Sequence, residues 1–321
     1  MSQKINIVVL DGVGVNPGDL SWNGLKELGK LTTYENTPND KIIERAIDAD
    51  VIIVNKCRFN SEVFSQLPKL KYLVESATGY DNIDINSARK YKIPVSNVRG
   101  YSTESVVQHT FSLILALINR TEYYSREVSS GRWSDNDFFT FWDSTIYELS
   151  GKTLGLYGFG QIGSRVATVA KAFGMNVIAC RKDSSKGYME GVFHAEFVDL
   201  LGKSDILSLH APLTSENTGL MDLGKFKKMK SSALFINTAR GKLINEEDLA
   251  FALNNGIISG AGLDVLSQEP PEQNNPLLKA KNCIITPHQA WTSIEARRKL
   301  MQGLIDNVHS FINGKIINSV Y

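Results

Sequence analysis

Four short segments of this chain carry residue types and spacings suited to chemistry. The first is the glycine turn Gly158-Phe159-Gly160-Gln161-Ile162-Gly163. An apolar run at 153–157 precedes it, and helical spacing at Val166, Ala167, Val169, Ala170 and Phe173 follows. A second apolar run at 175–179 comes next. In a strand–turn–helix–strand setting, Gly158 permits the tight turn, Gly160 lets the backbone approach a pyrophosphate, and Gly163 lets helix and strand pack closely. The helix N-terminus then offers free N–H groups and a partial positive charge to the phosphates. A similar run from Gly12 to Gly18 has the wrong spacing, and Pro17 removes a backbone donor from it.

The other three segments leave late strands. Residues 235–241 hold Arg240, residues 262–271 hold Asp264 and Glu269, and residues 285–292 hold His288. Ligands of open α/β sheets lie outside the carboxyl ends of the strands, which aims all three segments at one crevice. Arginine before glycine, or histidine after proline, is ordinary when met singly; in this order, each after a buried strand, they point to a site.

The elements that must position these residues are legible as alternating patterns. Apolar runs at 5–10, 51–54, 71–74 and 93–95 alternate with helical patterns near 20–28, 40–47, 60–66 and 84–91. Short apolar strands separated by helices imply a parallel sheet covered on both faces. Residues 101–120 read as a long helix capped by Ser102 or Thr103. Six further strands are expected near 153–157, 175–179, 205–209, 233–236, 259–264 and 283–286, the doubly wound count. Helical spacing returns from Ser293 to Asn313, with Gly314 as a stop signal. A tail so short packs back on the first unit, so the expected domains are 1–100 with 290–321, and 101–289.

Composition narrows the class. With 35 Lys+Arg against 34 Asp+Glu, the net charge of +1 creates no field for nucleic acid or anionic lipid. Cys57, Cys180 and Cys283 show neither zinc spacing nor a disulfide framework, so no metal is expected and a cytoplasmic protein is. The segment from Met1 to Leu10 runs into a strand without a signal peptide, and no apolar run approaches a membrane span.

The chain resembles the D-isomer-specific 2-hydroxyacid dehydrogenases, nearest to the glycerate dehydrogenase (hydroxypyruvate reductase) branch. The resemblance runs end to end and rests on residues 76–84, 100–109 and 210–218, the glycine turn and the three late segments. It implies an α/β protein of two Rossmann-like lobes: a flavodoxin-like substrate lobe and an inserted doubly wound nucleotide lobe, with the catalytic cleft between them. The C-terminal regulatory domain of the phosphoglycerate branch is not expected here.

The resemblance also implies roles. Arg240, Glu269 and His288 become the catalytic trio. Arginine's fixed fork matches a carboxylate and a carbonyl. His288 exchanges a proton with the carbonyl oxygen, and Glu269 fixes its tautomer and favours its acid form. The amides of Thr78 and Gly79 receive the substrate carboxylate. Cofactor contacts fall at Thr103, Gly158, Phe159, Gly160, Gln161, Ile162, Arg181, Lys182, His210, Pro212, Thr218, Thr238, Ala239, Arg240, Asp264 and His288. His210 lines the cofactor cleft or serves the structure. His109, His309 and His194, the last in a connecting stretch, are assigned no chemistry.

Where NAD-dependent relatives usually carry an aspartate that binds the adenosine ribose, this chain reads Arg181-Lys182-Asp183. A basic pair suits a 2′-phosphate, which favours NADP(H), with NAD(H) the alternative through Asp183. The expected reaction is reduction of hydroxypyruvate, glyoxylate or a related small 2-oxo acid. Alternatives are a family dehydrogenase for bulkier D-2-hydroxy acids and a nucleotide-sensing, corepressor-like binding protein. Residues 131–142 carry Trp133, Phe138, Phe139, Phe141 and Trp142, a run suited to an interface core. The expectation is a homodimer that brings Phe141 or Trp142 near the neighbouring substrate pocket.

Overall fold

The computed structural model describes residues 4–321; the expected lack of a leader at Met1 to Gln3 concerns residues outside that range. The chain divides into two compact units. One comprises the chain up to Ser102 together with Thr292–Tyr321, and the other comprises Thr103–Trp291.

The first unit is built on strands β1 (Asn6–Val9), β2 (Lys30–Thr33), β3 (Val51–Val54), β4 (Tyr72–Glu75) and β5 (Val95–Ser96). All pair in parallel, in the order β2-β1-β3-β4-β5, which is the flavodoxin-like arrangement. Every residue of β3 and β4 is buried, as expected of parallel strands covered on both faces. Leu10, Ile52, Val54 and Leu73 join Ile42, Phe59, Phe64 and Ala88 in one core cluster. Tyr72 stacks on Phe311 of the helix Ile294–Ile312 at 4.7 Å, which brings the end of the chain onto this sheet. That helix starts where expected, with Ser293 Oγ accepting the N–H of Ala296 at 3.2 Å. The sequence pattern predicts four strands in this unit, and the described residues form five. β2 is an edge strand with three of its four residues exposed, so it has no apolar run to announce it.

The second unit carries β6 (Thr153–Tyr157), β7 (Asn176–Cys180), β8 (Val192–His194), β9 (Ile206–Leu209), β10 (Leu234–Asn237), β11 (Gly260–Leu263) and β12 (Cys283–Ile285). The sheet is parallel throughout, in the order β12-β11-β10-β9-β6-β7-β8. Numbered from β6, its first six strands follow the doubly wound order 3-2-1-4-5-6, with β12 as a seventh at the edge. The expectation of six strands is therefore one short. No apolar run announces β8, a brief edge strand whose central Phe193 is 68% exposed, and His194 ends it instead of lying in a connection. The helix Thr103–Asn119 buries Val106, Val107, Phe111 and Ile114. Among the described residues no helix is long and apolar enough to cross a membrane.

Candidate active site

The glycine turn lies between β6 and the helix Gln161–Ala172. Gly158 adopts φ +100, and a Cβ there would stand 2.6 Å from the backbone of His210 and Ala211. A Cβ on Gly163 would meet the carbonyl oxygen of Gly158 at 2.3 Å. Packing thus imposes both glycines, Gly158 against the backbone that follows Leu209 and Gly163 within the turn itself. Gly160 is different: nothing lies within 4 Å of its Cβ position, which leaves its face open to a ligand. Gly160 is also the helix N-cap and supplies no side-chain acceptor, so the first N–H groups at Gln161 and Ile162 remain available to phosphate oxygens. This open, donor-rich cradle fits a dinucleotide pyrophosphate.

Other residues expected to meet the cofactor flank the turn. His210 follows β9; its Nε2 lies 2.9 Å from Ser208 Oγ, and burial lowers its pKa to about 4, so it is neutral at pH 7. Beyond it, Asn217 folds the loop back, donating to the Pro212 carbonyl at 2.8 Å and accepting the N–H of Thr214 at 2.7 Å. Thr218 Oγ1 donates to the Thr214 carbonyl at 2.9 Å. After β10, Thr238 is buried with its Oγ1 3.3 Å from Thr110, a residue of the helix that Thr103 begins. After β7, Arg181 donates to the Gly187 carbonyl at 2.9 Å and Lys182 pairs with Glu216 at 2.9 Å. Asp183 is turned to its own loop, accepting from Ser185 N at 3.2 Å and Ser185 Oγ at 2.5 Å.

The three late segments converge. Asn237 at the end of β10 holds the next turn, accepting the N–H of Ala239 at 3.0 Å and donating to the carbonyl of Arg240 at 2.9 Å. Gly241 then packs so tightly on the following segment that a Cβ would stand 1.9 Å from the carbonyl carbon of Leu266. The N–H of Leu266 donates to Glu269 Oε1 at 3.1 Å, and Glu269 Oε2 lies 2.6 Å from His288 Nδ1. Backbone and side chain thereby link Arg240, Glu269 and His288 in a continuous series. Glu246, not singled out in the sequence, braces the middle of it by accepting the N–H of Ser267 at 2.6 Å.

Asp264 holds the His288 turn. Its Oδ1 accepts Thr286 Oγ1 at 2.6 Å and the N–H of Gln289 at 2.9 Å, and its Oδ2 accepts the N–H of Ala290 at 2.9 Å. Its own carbonyl takes the N–H of His288 at 2.9 Å. Burial alone would raise the carboxyl pKa, but hydrogen bonds from His109, Thr286 and the two amides outweigh it and hold the group below its usual range. His109 therefore has a place that helical spacing did not reveal, with Nε2 2.9 Å from Thr286 Oγ1 and 3.4 Å from Asp264 Oδ1. The clamp keeps His288 at φ +51, a left-handed conformation that bulky side chains rarely adopt and that recurs at functional sites.

In the first unit, Thr78 and Gly79 occupy the turn after β4, whereas Trp142 stands 69% exposed in the aromatic segment of the second unit. Trp133 Nε1 donates to the Phe139 carbonyl at 3.0 Å, and Arg132 pairs with Asp143 at 2.6 Å.

Comparison with known proteins identifies the family. Residues 111–290 match the family model described as D-isomer specific 2-hydroxyacid dehydrogenase, NAD binding domain. A hydroxypyruvate reductase of Blautia hydrogenotrophica is 40% identical over 98% of this chain and 99% of its own. A glycerate dehydrogenase of Methylorubrum extorquens is 39% identical over 89% of this chain and 90% of its own. Among solved structures, an acyclic imino acid reductase in complex with NADPH and D-Arg superposes with a TM-score of 0.88 at 34% identity, covering 99% of this chain and 100% of that one. The chain belongs to the D-isomer specific 2-hydroxyacid dehydrogenase family. It is a nicotinamide-dependent oxidoreductase, whose relatives include hydroxypyruvate reductases, glycerate dehydrogenases and glyoxylate reductases.

Proposed function

We propose that this enzyme reduces hydroxypyruvate, glyoxylate or a related small 2-oxo acid to the D-2-hydroxy acid, with His288 as the acid. The observation that carries this reading is the 2.6 Å contact of His288 Nδ1 with Glu269. It commits Nδ1 to a carboxylate, while Nε2 has no partner among the described residues and is left to move a proton. Arg240 anchors and polarises the substrate through its guanidinium, and the amides of Thr78 and Gly79 receive the carboxylate. When bound, the reduced nicotinamide supplies the hydride. His288 gives its Nε2 proton to the carbonyl oxygen, and Glu269 stabilises the imidazolium before that transfer and holds the neutral ring after it.

The preferred nucleotide is NADP(H), ahead of NAD(H). Arg181 follows β7 directly, and Asp183 is already engaged by Ser185, which removes the nearest carboxylate from contention for a ribose diol. The exposed aromatic run supports a homodimer with residues 131–142 at its interface, where Trp142 would approach the partner's substrate. The free thiols Cys57, Cys180 and Cys283 fit a cytoplasmic setting.

Initial rates for a panel of 2-oxo acids with each nucleotide test the assignment. Activity concentrated on hydroxypyruvate and glyoxylate is expected. Activity confined to bulky acids such as phenylpyruvate would transfer the enzyme to another branch, and binding of nucleotide without turnover would favour a sensor.

A further inference from the structure

The turn after β4 is pinned at three points. Asn55 Nδ2 donates to the Ser76 carbonyl at 2.9 Å. Asn97 Nδ2 donates to the Thr78 carbonyl at 2.6 Å, and Thr78 Oγ1 donates to the Val98 carbonyl at 3.0 Å. At the far end, Asn82 Nδ2 donates to the Cys57 carbonyl and to Glu75 Oε2, each at 3.0 Å. Between these pins the N–H groups of Thr78 and Gly79 meet no acceptor among the described residues.

Glu75 is the unexpected member of this set. It is fully buried at the end of β4, and its Oε1 has no hydrogen-bond partner among the described residues. Asp11, the neighbouring acid, is occupied: its carboxylate accepts the N–H groups of Asn55, Lys56 and Cys57 at 2.8, 2.5 and 3.0 Å. Burial holds the Glu75 carboxyl well above its usual pKa; Asp11 and Asp81 push the same way, while Asn82 and Lys56 oppose. Burial thus favours the neutral, protonated form of this carboxyl. Oε2 receives the Asn82 donor, so the proton belongs on Oε1. An apolar side chain of similar size would fill the space without an unsatisfied oxygen, so packing alone does not explain the acid.

We propose that Glu75 is a positioning residue for substrate: through Asn82 it sets the turn whose Thr78 and Gly79 amides receive the carboxylate of the 2-oxo acid. This rests on the carboxylate-binding role given above to those amides. A neutral acid suits the task, since it accepts a hydrogen bond without adding negative charge next to an anion site.

The test uses the full-length enzyme with Glu75→Leu, Glu75→Gln and Asn82→Ala. The readouts are KM for hydroxypyruvate, KM for the nucleotide, kcat, and the Kd of oxalate by calorimetry. Glu75→Leu and Asn82→Ala should each raise the hydroxypyruvate KM and the oxalate Kd by roughly fivefold to tenfold, the scale of one lost hydrogen bond, with kcat and nucleotide KM unchanged. Glu75→Gln keeps the acceptor and should stay within about twofold of the natural enzyme. If Glu75→Leu does not fold, Asn82→Ala, altered at a half-buried residue, decides the matter. Unchanged oxalate affinity in the folded variants overturns the proposal, as does a parallel loss of kcat, nucleotide and acid binding. Failure of the unaltered enzyme to bind oxalate overturns it too. Oxalate binding that responds as expected, in an enzyme that reduces no 2-oxo acid, would retain this inference and dismiss the proposed reaction.

Discussion

Gly241 lies against Leu266 so closely that the smallest side chain would place a carbon 1.9 Å from the Leu266 carbonyl carbon. The two residues flank the proposed reactive groups: Gly241 follows Arg240, and Leu266 donates its N–H to Glu269. Displacing one segment therefore disturbs both arms of the site. Gly241→Ala should lower stability by about 1–3 kcal/mol, the usual cost of overpacking, and reduce kcat/KM by a larger factor than the stability loss explains. Urea midpoints and steady-state rates measure the two effects, and an alanine variant matching the natural enzyme in both would refute the close-packing account.

His288→Ala should cut kcat by about 10²–10⁴-fold, the range of general acid–base catalysis, while nucleotide affinity stays near normal. Lost nucleotide binding with kcat retained would remove His288 from the proton step. Glu269→Gln should lower kcat with nucleotide affinity retained, because Nδ1 loses the carboxylate that orients the ring at 2.6 Å. An unchanged kcat would argue against that coupling.

Arg181→Asp replaces attraction by repulsion where a 2′-phosphate would lie, so the KM for NADPH should rise far more than that for NADH. Fluorescence titration of both nucleotides gives the comparison directly. Equal changes, or a natural enzyme that prefers NADH by a wide margin, would defeat the NADP(H) preference.

Burial lowers the His210 pKa to about 4, whereas an unfolded histidine titrates near its ordinary value, about 6.5. Between these values the unfolded chain binds the extra proton, so this contribution is complete above about pH 6.5 and declines as the pH falls towards about 4. His210→Gln should flatten that part of the stability profile. Thermal melts from pH 7.5 to 4.5 that fall equally steeply in both proteins would contradict the assignment.

Trp142 is 69% exposed and Phe139 86%, which is costly unless another surface covers them. Light scattering should return twice the 35.6 kDa chain mass at micromolar concentration. Trp142→Ala should raise the hydroxypyruvate KM without dissociating the dimer; a normal KM would restrict the segment to assembly.

Buried strands and the glycine turn were legible because each writes a local signal: an unbroken apolar run, or glycines at fixed offsets. β2 and β8 were not, since short edge strands with mostly exposed residues lack the apolar signature of the central ones. At the site, Arg240, Glu269 and His288 stood out by type and by their place after strands. The parts that orient them did not. Asp264 as a clamp depends on amides of Gln289 and Ala290, and His109 on Thr286; those partners lie too far along the chain for spacing to reveal.

The chain leaves the first unit after Ser102 and returns to it only at Thr292. During synthesis, which proceeds at roughly 5–20 residues per second, β1 to β5 emerge early but lack the helix that brings Phe311 onto Tyr72. The second unit is continuous in sequence, so all of it is made before the first unit receives its final helix. The unit whose synthesis begins first is thus the last to be finished, and a chain that ended before Ile294 would lack the helix that carries Phe311 onto Tyr72.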